Sequence, residues 1–229
     1  MNKTNIEWTD YTWNPVPGCE HGCPYCYARP MAHRFYPPEI GFKPHFWPER
    51  LDEPMRLLKP SKIFVTSMGD LFGKWVPDEW IEAVLETVEA CPQHTFQFLT
   101  KNPERMIGRW PDNCWMGATA TDQAMFDKAS WFLSFIPNNA VKFISCEPLL
   151  GPIRLTNKWG YEHLNWIIIG AMTGPKAVKP KEIWIWRLIE DAAEHNIPVF
   201  AKANLGKFYS KWQAWPVPKD DGIVRRAYR

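Results

Sequence analysis

The chain lacks any apolar run of membrane-spanning length. Its longest, Trp166-Ile167-Ile168-Ile169-Gly170-Ala171-Met172, is far shorter than the roughly 20 residues a helix needs to cross a bilayer, so no membrane partner is expected. It also lacks an excess of charge, with 27 Lys+Arg against 25 Asp+Glu and a formal net charge of +2. Internal repeats and low-complexity segments are missing, and a composition of 45% apolar and 23% charged residues excludes a disordered or collagen-like chain. The opening Met1–Glu7 has no apolar h-region, so it does not read as a secretory signal, and a cytoplasmic protein is expected. Cysteine is scarce, with six in all, yet three of them crowd into one stretch. In a reducing compartment such crowding points to a metal or to redox chemistry rather than to disulfides.

What is present suits one domain over 1–229, long enough to bury a full core. Fourteen Trp supply large rings, most of them expected in the core, and 22 scattered Pro imply many stiff turns between short elements. The last eleven residues, 219–229, carry Lys219, Arg225, Arg226 and Arg229 against Asp220 and Asp221, so this tail alone accounts for the net charge. The segment Pro37 to Pro60 is Pro-rich and has no clean period. It reads as an insertion with a short helix at Pro54 to Leu58.

Short apolar runs recur at 63–66, 95–99, 114–117, 141–144, 166–169 and 198–201, separated by steps that accommodate a crossover helix. Their near-continuous apolar character suits parallel strands buried on both faces. Another strand is expected near Glu7 to Trp13, which makes about seven. Between the runs lie three helical patterns. One starts at Pro77 with Asp78 and Glu79 in its first turn, one is capped by Asp122, and one runs from about Pro180 to His195 and closes at Asn196 in an αL position. The fold class is α/β, a partial or complete (βα) barrel. Ligands bind such folds at the C-terminal ends of the strands. Those ends carry Ser67 and Asp70, Thr100 and Lys101, Thr119 and Thr121, Ser145 and Glu147, Thr173, and Lys202 and Asn204.

The crowded cysteines read Gly18-Cys19-Glu20-His21-Gly22-Cys23-Pro24-Tyr25-Cys26-Tyr27-Ala28, a C-x3-C-x2-C spacing in a cluster loop over 18–28. Three local thiolates can hold three irons of a [4Fe–4S] cluster and leave the fourth open to substrate. The alternative is a Cys3His zinc knuckle that uses His21 or a distant ligand. Cys91 and Cys114 read as packed thiols, whereas Cys146, at a strand end, is a candidate hydrogen donor to a radical.

The C-x3-C-x-aromatic-C signature after a first strand resembles that of the radical SAM superfamily. More closely, the chain is similar to the phage Gp37/Gp68 family, also called DUF5131. The resemblance rests on Ile6-Glu7-Trp8-Thr9, Thr12-Trp13-Asn14-Pro15-Val16, Cys26-Tyr27-Ala28, Pro48-Glu49-Arg50-Leu51, Ser67-Met68-Gly69-Asp70-Leu71-Phe72, Pro92-Gln93-His94-Thr95-Phe96, Leu99-Thr100-Lys101, Glu147-Pro148-Leu149-Leu150-Gly151-Pro152-Ile153 and Phe200-Ala201-Lys202. It implies a TIM-like barrel of the radical SAM type in which Cys19, Cys23 and Cys26 hold a [4Fe–4S] cluster that chelates S-adenosylmethionine (SAM). One electron, from a donor such as flavodoxin or ferredoxin, would cleave the sulfonium. The 5′-deoxyadenosyl radical would then take hydrogen from the substrate. Ser67, Gly69 and Asp70 stand where the superfamily places its acceptors for the methionine ammonium. Lys101 is the candidate cation for the methionine carboxylate. Glu147, Thr119 or Ser145 would receive the ribose side, Tyr25 the adenine, and Lys202 stands with Cys146 as a candidate catalytic group. For Lys101 and Glu147 the alternative is a mutual salt bridge at the barrel rim.

The gap between Cys19 and Cys23 is shorter than in most members of the DUF5131 family and has the general superfamily spacing, and two further stretches depart from the family pattern. Its usual Gly-Glu-Ser-Gly is Gly170-Ala171-Met172-Thr173-Gly174 here, and its usual Lys-Gln-Trp-Gly is Lys202-Ala203-Asn204-Leu205-Gly206. Phage relatives imply DNA modification in a host cytoplasm and a hypermodified thymidine-type nucleotide as substrate, and the exposed aromatics expected at Trp212 and Trp215 fit a nucleic acid. Two other readings remain open: a radical SAM enzyme acting on a small metabolite or peptide, and a zinc-stabilised nucleic-acid-binding module.

Overall fold

The apolar runs become strands of a single eight-stranded sheet in a computed structural model, which describes residues 1–137, 140–155, 161–174 and 176–216. The basic tail of 219–229 lies outside the described residues. The strands are β1 (Asn2–Lys3), β2 (Tyr11–Trp13), β3 (Lys62–Val65), β4 (Thr95–Thr100), β5 (Cys114–Thr119), β6 (Val141–Cys146), β7 (Trp166–Ile169) and β8 (Val199–Ala201). Their spatial order is their chain order, and every neighbouring pair from β2 to β8 is parallel. The two-residue β1, which is polar and has no apolar signature, adds an antiparallel edge to β2 that the sequence did not announce.

The helices are α1 (Ala28–Phe35), α2 (Asp78–Glu89), α3 (Gln123–Leu133) and α4 (Glu182–Glu194). Pro77 precedes α2 as expected, the Asp122 side chain accepts from Met125 N at 3.0 Å to cap α3, and Asn196 takes a φ of 55° just beyond α4. The Pro-rich segment contains two 3-10 turns, Pro48–Arg50 and Pro54–Arg56, in place of the expected short helix.

Alternate residues of each strand face two different interiors. Ile63, Val65, Phe96, Phe98, Met116, Ile144, Ile167 and Ile169 join the helix-side core. The concave side holds Trp8, Phe64, Phe143, Trp166, Ile168 and Phe200. The Trp8 ring sits 4.8 Å from Phe64 and 6.1 Å from Phe143, and Phe143 lies 5.7 Å from Trp166. These rings plug the lower half of the barrel. Among the described tryptophans only Trp8, Trp13, Trp110 and Trp166 are buried, fewer than composition suggested; most of the others are half-buried rings at the edge of the core. Gly117 of β5 makes room for the plug, because a Cβ there would lie 2.2 Å from the Phe143 ring. Gly117→Ala is expected to cost about 1–3 kcal/mol by overpacking. A lower denaturant midpoint at unchanged slope would report it.

The sheet does not close. Its last strand is covered by residues 212–214, where Ala201 N donates to Trp212 O at 2.6 Å and Ala214 N to Val199 O at 2.9 Å. A side chain spans the remaining gap: the Glu7 carboxylate accepts from Ala203 N at 3.0 Å and from Gln213 Nε2 at 3.2 Å. The architecture is therefore an open, partial α/β barrel.

Candidate active site

At the C-terminal end of the strands lies a cavity of about 330 Å³. Cys19, Cys23 and Cys26 lie along its wall, and Ser67, Gly69, Asp70, Lys101, Thr119, Ser145, Glu147, Tyr25 and Lys202 line it too. The concave plug forms its floor through Ile6, Trp8, Phe64 and Leu99. Thus all but one of the site residues expected from the sequence gather here.

The exception is Cys146. It is fully buried in the helix-side core, beside the other outward residues of β6, and burial pushes its thiol well above the ordinary range. Strand alternation decides this, since Ser145 points into the cavity and its successor must point away. The expectation of a hydrogen donor at Cys146 is therefore withdrawn.

The cluster loop is shaped by backbone. Gly18 has a φ of 93° and donates from N to Met68 O at 2.9 Å, and a bridge pairs it with Gly69. A Cβ on Gly69 would meet Gly18 O at 2.6 Å, so this glycine lets the two loops touch. Just before it, Thr66 turns the chain out of β3 at a φ of 58°, unusual for a β-branched residue and a local store of strain at the cavity edge. All three loop cysteines are free and half-buried. Burial pushes the Cys19 thiol up to about 11, and Arg29 N donates to Cys26 Sγ at 3.4 Å. Among the described residues no three His, Cys, Asp or Glu side chains form a ready-made single-ion site. The donor set itself is three soft thiols on one short loop facing one cavity, which fits an iron–sulfur group.

Asp70 proves to be a hub. Its Oδ1 accepts from Thr100 Oγ1 at 2.6 Å and Phe72 N at 3.1 Å, and its Oδ2 accepts from Lys101 N at 3.0 Å and His21 Nε2 at 2.7 Å. A carboxylate offers about four lone-pair sites, so this one is saturated. The expected role of Asp70 as an acceptor for a ligand ammonium is corrected to that of a buried brace between the cluster loop, β3 and β4. His21, weighed in the sequence only as a zinc ligand, holds that brace and stacks edge-on to Trp75 at 4.8 Å. Ser67 remains nearer the ligand space; its hydroxyl donates to Asn14 Oδ1 at 3.2 Å, while its carbonyl accepts from Tyr27 at 2.5 Å.

The charges do not form the rim salt bridge that was the alternative reading for Lys101 and Glu147. Glu147 Oε1 accepts from Lys202 Nζ at 2.5 Å, not from Lys101. Gly170 allows this pair to sit close, because a Cβ there would lie 2.8 Å from the Glu147 carboxyl carbon. Lys202 is thereby tied to Glu147 at the cavity wall. Lys101 Nζ instead lies 5.8 Å from the Tyr25 ring centroid. Among the described residues lining the cavity, Lys101 is the cation without a carboxylate partner. Burial, the nearby Cys23 thiol and its hydrogen bond push the Tyr25 phenol up to about 12, against a smaller opposing hydrogen bond from Thr121. On the floor, the buried Trp8 Nε1 has no hydrogen-bond partner among the described residues.

The two stretches that depart from the family pattern meet each other. Asn204 Nδ2 donates to Ala171 O at 3.0 Å, and Ala171 N donates to Asn204 Oδ1 at 3.0 Å. Of the two aromatics expected to be exposed, Trp215 is and Trp212 is half-buried; Trp212 packs 4.9 Å from Trp186, and Trp215 stacks on Trp166 at the opposite end of the barrel, so neither lines the cavity.

A family model described as "Protein of unknown function (DUF5131)" matches residues 3–223. The chain belongs to the DUF5131 family. A search of curated proteins gave no match to this DUF5131 protein. Among solved structures it is similar to a mutant of spore photoproduct lyase at 10% identity and a TM-score of 0.54, covering 87% of this chain and 78% of the other. A second mutant matches at 12% identity and a TM-score of 0.50, over 74% of this chain and 57% of the other. A third, with bound AdoMet and dinucleoside spore photoproduct, matches at 11% identity and a TM-score of 0.50, over 85% and 53%. In those last two comparisons the DUF5131 chain spans little more than half the length of the lyase. The likeness is one of fold, and it agrees with the radical SAM resemblance read from the sequence.

Proposed function

We propose that this protein is a radical SAM enzyme, folded as one domain over 1–229, whose substrate is a modified thymidine-type nucleotide in DNA. The observation that carries the reading is that Cys19, Cys23 and Cys26 line a strand-end cavity together with Lys101, a cation with no carboxylate partner among the described residues. A bound [4Fe–4S] cluster would supply the electron that cleaves SAM, and the 5′-deoxyadenosyl radical so released would take hydrogen from the substrate.

The protein's own groups do the rest. Lys101 binds the methionine carboxylate, preset by its contact with Tyr25. The Ser67 hydroxyl accepts from the methionine ammonium, while Asp70 fixes the loops that carry both residues. Thr119, Ser145 and the Glu147–Lys202 pair face the ribose side of the same cavity. A nucleotide substrate accords with the dinucleoside spore photoproduct bound by the similarly folded lyase.

The test is chemical. The chain is purified without oxygen, loaded with iron and sulfide, and given dithionite and SAM, with 5′-deoxyadenosine read by mass spectrometry. Its formation is expected. A protein that binds zinc, takes up no iron and leaves SAM intact would instead be a nucleic-acid-binding module.

A further inference from the structure

The mouth of the cavity is unevenly charged. Residues 170–181, which follow β7, contain Lys176, Lys179 and Lys181 and no Asp or Glu. Residues 195–216, which contain β8 and the turns after it, carry Lys202, Lys207 and Lys211 and again no acid. Both stretches leave the sheet at the cavity, since Ala171, Met172, Thr173 and Lys202 line it. The two-way hydrogen bond between Asn204 and Ala171 ties them together at the root. Lys176, Lys179, Lys207 and Lys211 are exposed, and among the described residues none of them pairs with a carboxylate. On the stretch after β8, Phe208 is 56% exposed, backed by Trp186 at 5.5 Å and by Lys211 Nζ at 4.4 Å from its centroid.

Unpaired lysines along a track attract phosphates, and an exposed ring among them stacks a base. The cavity floor lies within the barrel, beyond the reach of a base that stays in a duplex, so a nucleotide must leave the stack to enter it. We propose that the rim built by the loops after β7 and β8 holds the phosphate backbone of single-stranded or locally opened DNA, with Phe208 stacking a base next to the nucleotide that enters. This rests on the reading of the cavity as a nucleotide site.

The test uses the full, cluster-loaded chain and a fluorescein-labelled, thymidine-rich single strand of about 15 nucleotides, near the upper site size of such surfaces. Binding is read by anisotropy over a salt series, without turnover. Lys207→Ala combined with Lys211→Ala should lower the slope of log K against log salt by about 1.4, at about 0.7 per lost phosphate contact, and weaken binding about ten-fold or more at low salt. Phe208→Ala should weaken binding about five-fold or more and leave the slope unchanged. Lys3→Ala combined with Lys59→Ala removes the same charge at the other end of the barrel and should leave affinity near that of the unaltered chain. The proposal is overturned if this control loses as much as the rim variant, or if Arg225→Ala combined with Arg226→Ala carries the loss while the rim variant does not. It is also overturned if the chain ignores DNA and its rim lysines bind an acidic flavodoxin instead. A chain that cleaves SAM but ignores DNA defeats the rim alone, and one that binds DNA but takes up no iron defeats the enzyme reading alone.

Discussion

Cys26→Ala should give a folded protein that retains little iron after reconstitution and makes no 5′-deoxyadenosine above the metal-free background. The fold has a small stake in this thiol, which is half-buried, packs at the edge of the Ala28–Ala32–Phe42 cluster and accepts one hydrogen bond, from Arg29 N at 3.4 Å. The cluster depends on it wholly, because two thiolates cannot replace three. Cys19→Ala and Cys23→Ala should behave alike. Cys146→Ala should do the opposite: the iron stays, and the helix-side core loosens where a fully buried group is removed. Iron and sulfide content beside thermal midpoints separates the two patterns. Turnover retained by Cys26→Ala would sink the assignment of the cysteines.

Asp70→Ala should be the most destabilising polar substitution near the cavity. It strands Thr100 Oγ1, Phe72 N, Lys101 N and His21 Nε2 at a site only 4% exposed. Breaking a buried charged network by removing one partner costs about 3–5 kcal/mol. At this chain length each kcal/mol moves the midpoint by about 2–4 °C, so a fall near 10 °C is expected. His21→Gln removes only the strut to the cluster loop. Its midpoint should move by a few degrees at most, while amide exchange over 18–28 speeds up. If Asp70→Ala melts like the unaltered chain, the carboxylate is a ligand group and not a brace.

The sequence made the repeating pattern of strands and helices legible because each element carries a local signal: apolar runs for β3 to β8, Pro77 and Asp122 at helix starts, Asn196 at a helix end. The cavity was legible for a related reason, since polar residues just past an apolar strand must gather at one end of a parallel sheet. What escaped depends on pairings between distant segments. Nothing local says that Asp70 is saturated by His21 and Thr100, or that Glu147 takes Lys202 over Lys101. The face of Cys146 hung on a register of one residue. The polar β1 gave no signal of its own and is a strand only because β2 offers it an edge.

The Glu7 carboxylate has a consequence for how the protein is made. Its partners, Ala203 N and Gln213 Nε2, lie 196 and 206 residues further along. At roughly 5–20 residues per second of synthesis, Glu7 and the neighbouring Trp8 wait on the order of 10–40 s before those partners emerge. The floor of the cavity therefore leaves the ribosome long before the residues that seal it. Any iron delivered during synthesis would meet three cysteines on a barrel that still lacks its final wall.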